Sequence, residues 1–184
     1  MREINVGVIG CGGIANGKHL PALKKLGNTK IVAFCDIVKE KAQKAAEEYG
    51  VEGARCYTDY IVMLEKEKGN METVHVLTPN SSHSPISVAA LESDLHVMCE
   101  KTMAKDVAGA KAMLDARNKS GKLLTIGYQT RQYPEAQYLK KLCNNGDLGD
   151  VYYAEALALR RRAVPTWGVF LDEEKQGGGP LIDI

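Results

Sequence analysis

The feature that most constrains this chain is a glycine-rich turn, Gly10-Cys11-Gly12-Gly13-Ile14-Ala15, placed directly behind a short apolar run at 4–9. That run is rich in β-branched residues and reads as a buried strand. Residues 14–26 follow, with Ile14, Leu20, Leu23 and Leu26 at helical spacing and Pro21 either bending the helix or marking its true start. Strand, GxGxxG/A turn and helix together form the opening of a βαβ unit. Gly10 permits the tight turn, Gly12 leaves the backbone bare for close approach of a ligand, and Ala15 is small enough for helix to pack on strand. Gly13 and Ile14 complete the loop at the helix start, where N–H groups and the helix dipole favour a pyrophosphate.

Such a turn alone is as often only a turn. Asp36 supplies the second half of the pattern. It ends another strand at 30–35, about 20 residues beyond the turn, where an acid accepts hydrogen bonds from ribose hydroxyls. A carboxylate there repels a 2′-phosphate, so NAD is preferred and NADP is the alternative, with Lys39 near enough to soften the preference.

The alternation of strand and helix continues. A charged, alanine-rich helix spans 40–49 and stops at Gly50; a weak strand follows at 54–57. Asp59 caps a helix running to 66, and a strand occupies 73–77. A helix at 85–92 has Pro85 in its first turn, and a strand lies at 95–99. Asp106 caps a long helix closed by Ser120-Gly121, and a strand at 123–127 follows. This order implies an α/β protein with a Rossmann doubly wound parallel sheet and right-handed crossovers. Beyond Gly127 the pattern changes to a helix at 133–143, ended by Asn144-Asn145-Gly146, and a long strand at 151–159. We expect a dinucleotide-binding domain over 1–125 and, over 126–184, the incomplete start of a second α/β domain.

Composition narrows the function classes. The net charge is only +1, which gives no electrostatic case for nucleic acid or an anionic membrane. Arg160, Arg161 and Arg162 read as a solvated strand end. Five cysteines without a CxxC pair suggest neither a disulfide framework nor a zinc site. Free thiols, no secretory leader and no bilayer-length apolar run lead us to expect a cytoplasmic protein without metal.

Four segments, in order, resemble the Gfo/Idh/MocA family, named for glucose–fructose oxidoreductase, inositol dehydrogenase and a rhizopine-catabolism protein. They are residues 8–15 with His19-Leu20-Pro21-Ala22-Leu23; Val76-Leu77-Thr78-Pro79-Asn80 with His83; His96-Val97-Met98-Cys99-Glu100-Lys101-Thr102-Met103-Ala104; and Gly177-Gly178-Gly179-Pro180-Leu181-Ile182-Asp183-Ile184. The resemblance implies an oxidoreductase that moves hydride between nicotinamide and a hydroxyl carbon of a sugar or cyclitol, and a homo-oligomer in the full-length form. Thr78, Pro79, Asn80 and His83 match the loop beside the nicotinamide ribose. Glu100 matches a residue near the cofactor, Lys101 the lysine that reaches the reacting hydroxyl, and Asp183 the aspartate that helps align the substrate.

The pattern departs in two places. Thr102 stands where the family has proline, and the family's histidine four residues past the Asp183 position has no counterpart before Ile184. We therefore expect a truncated chain that binds cofactor and turns over poorly. The alternative from another class is a non-catalytic dinucleotide-binding or redox-sensing module, which Glu100-Lys101 and Asp183 argue against. A methyltransferase would share the glycine turn but fits Thr78-Pro79-Asn80 badly. Tyr128, Gln129, Arg131 and Trp167 are further candidates for a substrate pocket.

Overall fold

The computed structural model of the chain describes residues 2–157, 159, 161, 166 and 168–179. Six strands form one parallel sheet: β1 (Ile4–Ile9), β2 (Thr29–Cys35), β3 (Arg55–Tyr57), β4 (Thr73–Val76), β5 (His96–Cys99) and β6 (Leu124–Ile126). Their order is β3-β2-β1-β4-β5-β6. In this two-halved arrangement the connections run outward in opposite directions from the β1–β4 pair. A crevice then opens beyond the carboxyl ends of those two strands.

The strands are apolar on both faces because helices cover both. Val6, Val8, Ala33, Phe34, Val74 and Val76 are each no more than 1% exposed. One face is covered by a π-helical turn (Ala15–His19), α1 (Leu20–Lys25) and α2 (Lys39–Tyr49), which pack Leu20, Leu23, Ala42 and Ala45 over Val6 and Phe34. The other is covered by α3 (Tyr60–Lys66), α4 (Asn80–Glu92) and α5 (Val107–Ser120), which place Met63, Ile86, Leu91 and Met113 over Val74 and Val97. Asp59 and Asp106 cap α3 and α5 as expected, accepting from the N–H of Ile61 and of Gly109.

Local chemistry departs from expectation at three points. The first helix carries the π-helical turn just ahead of Pro21. Proline has no N–H for the usual bond one turn back, and the turn widens so that the Leu20 N–H reaches the Ala15 carbonyl. Second, α4 starts at Asn80, not at Pro85, so Pro85 lies inside the helix. As the sixth residue of the helix it lacks the N–H that would ordinarily bond the Ser81 carbonyl, and packing of α4 on the sheet holds the helix across that gap. Third, Gly50 stops α2 in extended rather than left-handed backbone, with φ −72 and ψ 157. Glycine is needed there for space, since a Cβ would lie 2.6 Å from the Ala46 carbonyl oxygen.

After β6 come a 3-10 turn (Gln129–Gln132), α6 (Pro134–Asn145) and α7 (Glu173–Gln176). The helix expected at 133–143 is present as α6, with Gly146 at its C-cap. The strand expected at 151–159 is not: its described residues, 151–157 and 159, are exposed and form no strand. A lone strand has no ladder partner to satisfy its backbone, and the described residues supply none there. No described residue after Ala116 is buried.

Candidate cofactor site

The glycine turn sits at the carboxyl end of β1, held from both sides. Gly10 donates its N–H to the Cys35 carbonyl at 2.8 Å, and Leu77 donates to the Ile9 carbonyl at 2.8 Å. Gly10 has φ +94, and a Cβ there would lie 2.5 Å from the Leu77 carbonyl oxygen. Only glycine meets both conditions. A Cβ on Gly12 or Gly13 would meet no atom within 4 Å, so the backbone there faces open space. Ile14 is 41% exposed and Ala15 fully buried, as close packing of helix on strand requires. The Asn16 amide donates to the carbonyls of Cys11 and Gly12 at 2.8 and 2.9 Å. That bond keeps those carbonyls occupied on the protein side of the turn.

Asp36, half-buried at the end of β2, uses both carboxylate oxygens on the backbone. Oδ2 accepts from the Cys11 N–H at 2.8 Å and Oδ1 from the Val38 N–H at 2.9 Å. It therefore fixes the glycine turn as well as placing a negative charge beside it. Cys11 and Cys35 line the same junction. Burial, helped by the Asp36 charge, pushes both thiols up to about 12, so they are protonated, inert packing groups.

Across the crevice, Thr78 and Pro79 lead into α4. The buried Thr78 hydroxyl has no hydrogen-bond partner among the described residues. Asn80 donates its amide to the Gln176 carbonyl in α7 at 2.9 Å. His83 is fully buried. Its Nδ1 lies 2.5 Å from the Thr102 carbonyl oxygen and its Nε2 lies 2.8 Å from that of Thr78. The ring sits between two backbone carbonyls, one of which accepts its single N–H when it is neutral, and so lies between the loop after β4 and the loop after β5. Burial holds this imidazole below its usual value, against the pull of those two carbonyls.

Glu100 and Lys101 follow β5. The Glu100 carboxylate is nearly buried, with Oε1 2.7 Å from His19 Nε2 and Oε2 accepting the Lys101 N–H at 3.0 Å. Burial pushes the carboxyl up, but the His19 bond and charge and the Lys101 backbone outweigh it and leave it below the usual carboxylate range. The Lys101–Thr102 peptide bond is cis. At the end of β6 the Arg131 guanidinium stacks on the Tyr128 ring at 4.7 Å, with Gln129 exposed between them. Asp183, Trp167, Arg160 and Arg162 lie outside the described residues.

The fold thus gathers Gly10 to Ala15, Asp36, Thr78 to His83 and Glu100-Lys101 at the carboxyl ends of β1, β2, β4 and β5. These residues fit a dinucleotide: bare backbone over open space at a helix start, a carboxylate one strand away, and a polar loop at the switch between sheet halves. Two further residues beside these escape the motif reading, Asn16, which bonds two carbonyls of the turn, and His75; His19, which His75 lies beside, stands in a motif segment without an assigned role. Helical spacing from Ala15 to His19 is the sequence clue that both sit on one face. Among the described residues no cluster of three or more His, Cys, Asp or Glu could hold a metal ion. None of their helices is long and apolar enough to cross a membrane.

Fold and site together define a dinucleotide-binding protein of the doubly wound α/β class. The family model described as the oxidoreductase family with an NAD-binding Rossmann fold, Gfo/Idh/MocA, matches residues 4–128, and the chain belongs to that family. It is 40% identical over 181 residues to the D-glucoside 3-dehydrogenase of Escherichia coli (strain K12), covering 98% of this chain and 50% of that protein. It is 30% identical over 169 residues to an inositol 2-dehydrogenase of Salmonella paratyphi B, covering 89% of this chain and 48% of that protein. Among solved structures, a variant of KijD10, a 3-ketoreductase from Actinomadura kijaniata in complex with TDP-benzene and NADP, superposes with a TM-score of 0.79 at 25% identity. That match covers 100% of this chain and 54% of the other. The chain spans about half the length of the curated relatives it matches.

Proposed function

We propose that these residues form the cofactor-binding part of an NAD(P)-dependent dehydrogenase that acts on a hydroxyl carbon of a sugar or cyclitol. The observation that carries this reading is the turn at Gly10 to Ala15. Its first glycine is fixed by conformation and contact, its Gly12 and Gly13 backbone faces open space, and Asp36 is bonded to its second residue. The D-glucoside and inositol dehydrogenases among its relatives support the substrate class. In this reading residues 126–184 begin a second α/β domain that supplies substrate contacts and the faces of a homo-oligomer.

When bound, the nicotinamide ring supplies the hydride acceptor, or the donor in the reverse direction. The chain's own residues do the rest. Gly10, Gly12, Gly13, Ile14 and Ala15 cradle the pyrophosphate at the helix start. Asp36 accepts from the ribose hydroxyls and disfavours a 2′-phosphate. Thr78, Pro79, Asn80, His83 and Glu100 border the nicotinamide end, with His83 acting through the two loops it joins. The Lys101 ammonium, at a strand's carboxyl end, stabilises negative charge developing on the substrate oxygen. Asp183 aligns the substrate.

Calorimetric titration of the chain with NAD+ and with NADP+ tests this. Both nucleotides are expected to bind, NAD+ more tightly. Asp36→Asn removes the charge and leaves one of the two oxygens that accept from the Cys11 and Val38 N–H groups. It is expected to shift the NAD+ to NADP+ affinity ratio roughly tenfold or more towards NADP+, the effect of one charge-assisted contact. An unchanged ratio contradicts the role of Asp36; absence of binding by either nucleotide contradicts the whole reading.

A further inference from the structure

The glycine turn and the helix behind it are pinned on two flanks, each time by a carboxylate at a strand end. On the β2 side Asp36 holds the Cys11 N–H. On the β5 side Glu100 holds His19, at 2.7 Å, with the two side chains only 11% and 12% exposed. The Glu100 N–H is itself fixed to the Val76 carbonyl at 2.9 Å. Its second carboxylate oxygen is used by the Lys101 N–H.

His19 is fixed in turn. Its Nδ1 lies 3.4 Å from Nδ1 of His75, and the rings meet edge to face, 5.6 Å apart with an interplanar angle of 81°. His75 is part of β4 and pairs in register with Val8 of β1. A chain of three polar groups therefore runs Glu100–His19–His75 from the end of β5 onto the sheet. Gly127 lies beside it: a Cβ there would meet Met98 Cε at 3.2 Å and Glu100 Oε1 at an ordinary 3.4 Å. His19 closes the π-helical turn, a widened turn of the kind often found at functional sites.

Resting on the cofactor reading above, we propose that His19 is a positioning residue that locks the glycine-turn helix to the Glu100–Lys101 loop, so that the pyrophosphate end and the nicotinamide end of the crevice are held as one rigid frame. Without His19, the Glu100 carboxylate keeps its burial but loses its charge-assisted partner. It must turn towards water, and the Lys101 backbone bonded to it moves with it. Asp36 and the turn itself are untouched, so the adenosine half of the site stays intact.

The test compares NADH with ADP-ribose, which lacks the nicotinamide, on the 184-residue chain and its His19→Ala, His19→Asn and His19→Gln variants. Affinity is read by calorimetry, and the environment of bound NADH by its fluorescence emission. Asparagine is too short to span to Glu100, while glutamine can donate its amide to that carboxylate. We expect His19→Ala and His19→Asn to weaken NADH roughly tenfold, the worth of one hydrogen bond to a charged group. Emission should move towards that of free NADH, and ADP-ribose affinity should stay within about twofold. His19→Gln should restore both readouts. If the alanine variant does not fold, the asparagine variant carries the comparison.

Equal losses for NADH and ADP-ribose, unchanged NADH affinity and emission in a folded variant, or no recovery in His19→Gln would each overturn the proposal. A folded parent chain that binds neither ligand would instead overturn the cofactor reading beneath it, and the proposal with it.

Discussion

Leu91 in α4 and Leu139 in α6 are the same side chain on helices of 13 and 12 residues, yet Leu91 is 0% exposed and Leu139 is 55% exposed. The contrast extends to the regions around them. Up to β6 the chain closes two cores around one sheet. Among the described residues of 129–179, Tyr138, Tyr152, Tyr153 and Leu157 face solvent, and α6 buries none of its residues. Apolar content alone does not build a core. A helix stripe is stabilised only where another element lies against it, and the sheet supplies that surface to α4 but not to α6. The dinucleotide site proposed above falls wholly in the first region. There, rigid strand ends fix the geometry of the turn.

The largest effect that would break this comparison concerns those two leucines. Leu91→Ala is expected to cost about 2–5 kcal/mol of stability by urea unfolding, as a cavity in a packed core does. Leu139→Ala is expected to stay within about 0.5 kcal/mol. Equal costs would show that α6 is packed in solution.

Acid sharpens the comparison next. Burial, with His19 beside it, lowers His75 from 6.5 to about 4. The fold favours neutral His75, so its contribution is complete above pH 6.5 and is lost as pH falls towards 4. The loss is up to about 3 kcal/mol on the scale of about 1.4 kcal/mol per unit. His83 and Glu100 are also lowered and act in the same direction, Glu100 through the carboxylate range. The shifted Asp172 is a surface group and adds no comparable effect. Urea midpoints measured from pH 7.5 to 4 should fall, and His75→Gln should flatten the upper part of that fall. A flat profile for the parent chain would contradict a partly buried, neutral His75.

Backbone substitutions give the smaller pair. Gly10→Ala sets a Cβ against the Leu77 carbonyl at a positive φ and is expected to cost about 1–3 kcal/mol. It should also remove nucleotide binding. Gly146 has φ +77 and open space around it, so Gly146→Ala is expected to cost about 1 kcal/mol, the backbone strain alone. Denaturation midpoints for the two variants separate a crowded turn from a merely left-handed one.

Much of the first region was legible in the residues themselves. Strand runs such as 4–9 and caps such as Asp59 and Asp106 announce themselves because the forces are local. The Gly10 turn and Asp36 were legible for the same reason, since each position has one backbone or charge requirement. What was not legible depends on distant partners. Pro85 suggests a helix start, but α4 begins at Asn80, where Thr78-Pro79-Asn80 reads as a turn until the helix packs on the sheet. Residues 151–159 read as a long strand in sequence, yet a strand needs a neighbour. His83 could have been solvated; its two carbonyl partners come from loops that meet only in the folded chain. The His19–Glu100 pair spans 81 residues, and no local pattern announces it.

In the proposed reading, nucleotide recognition belongs to the strand ends of the first region. An amide chemical-shift map of the chain, titrated with NAD+, tests it most directly. Shift changes are expected to concentrate at residues 10–16, 36–38, 78–83 and 99–102, with residues 134–157 unmoved. No change on addition of NAD+, or changes centred on 134–157, would contradict it.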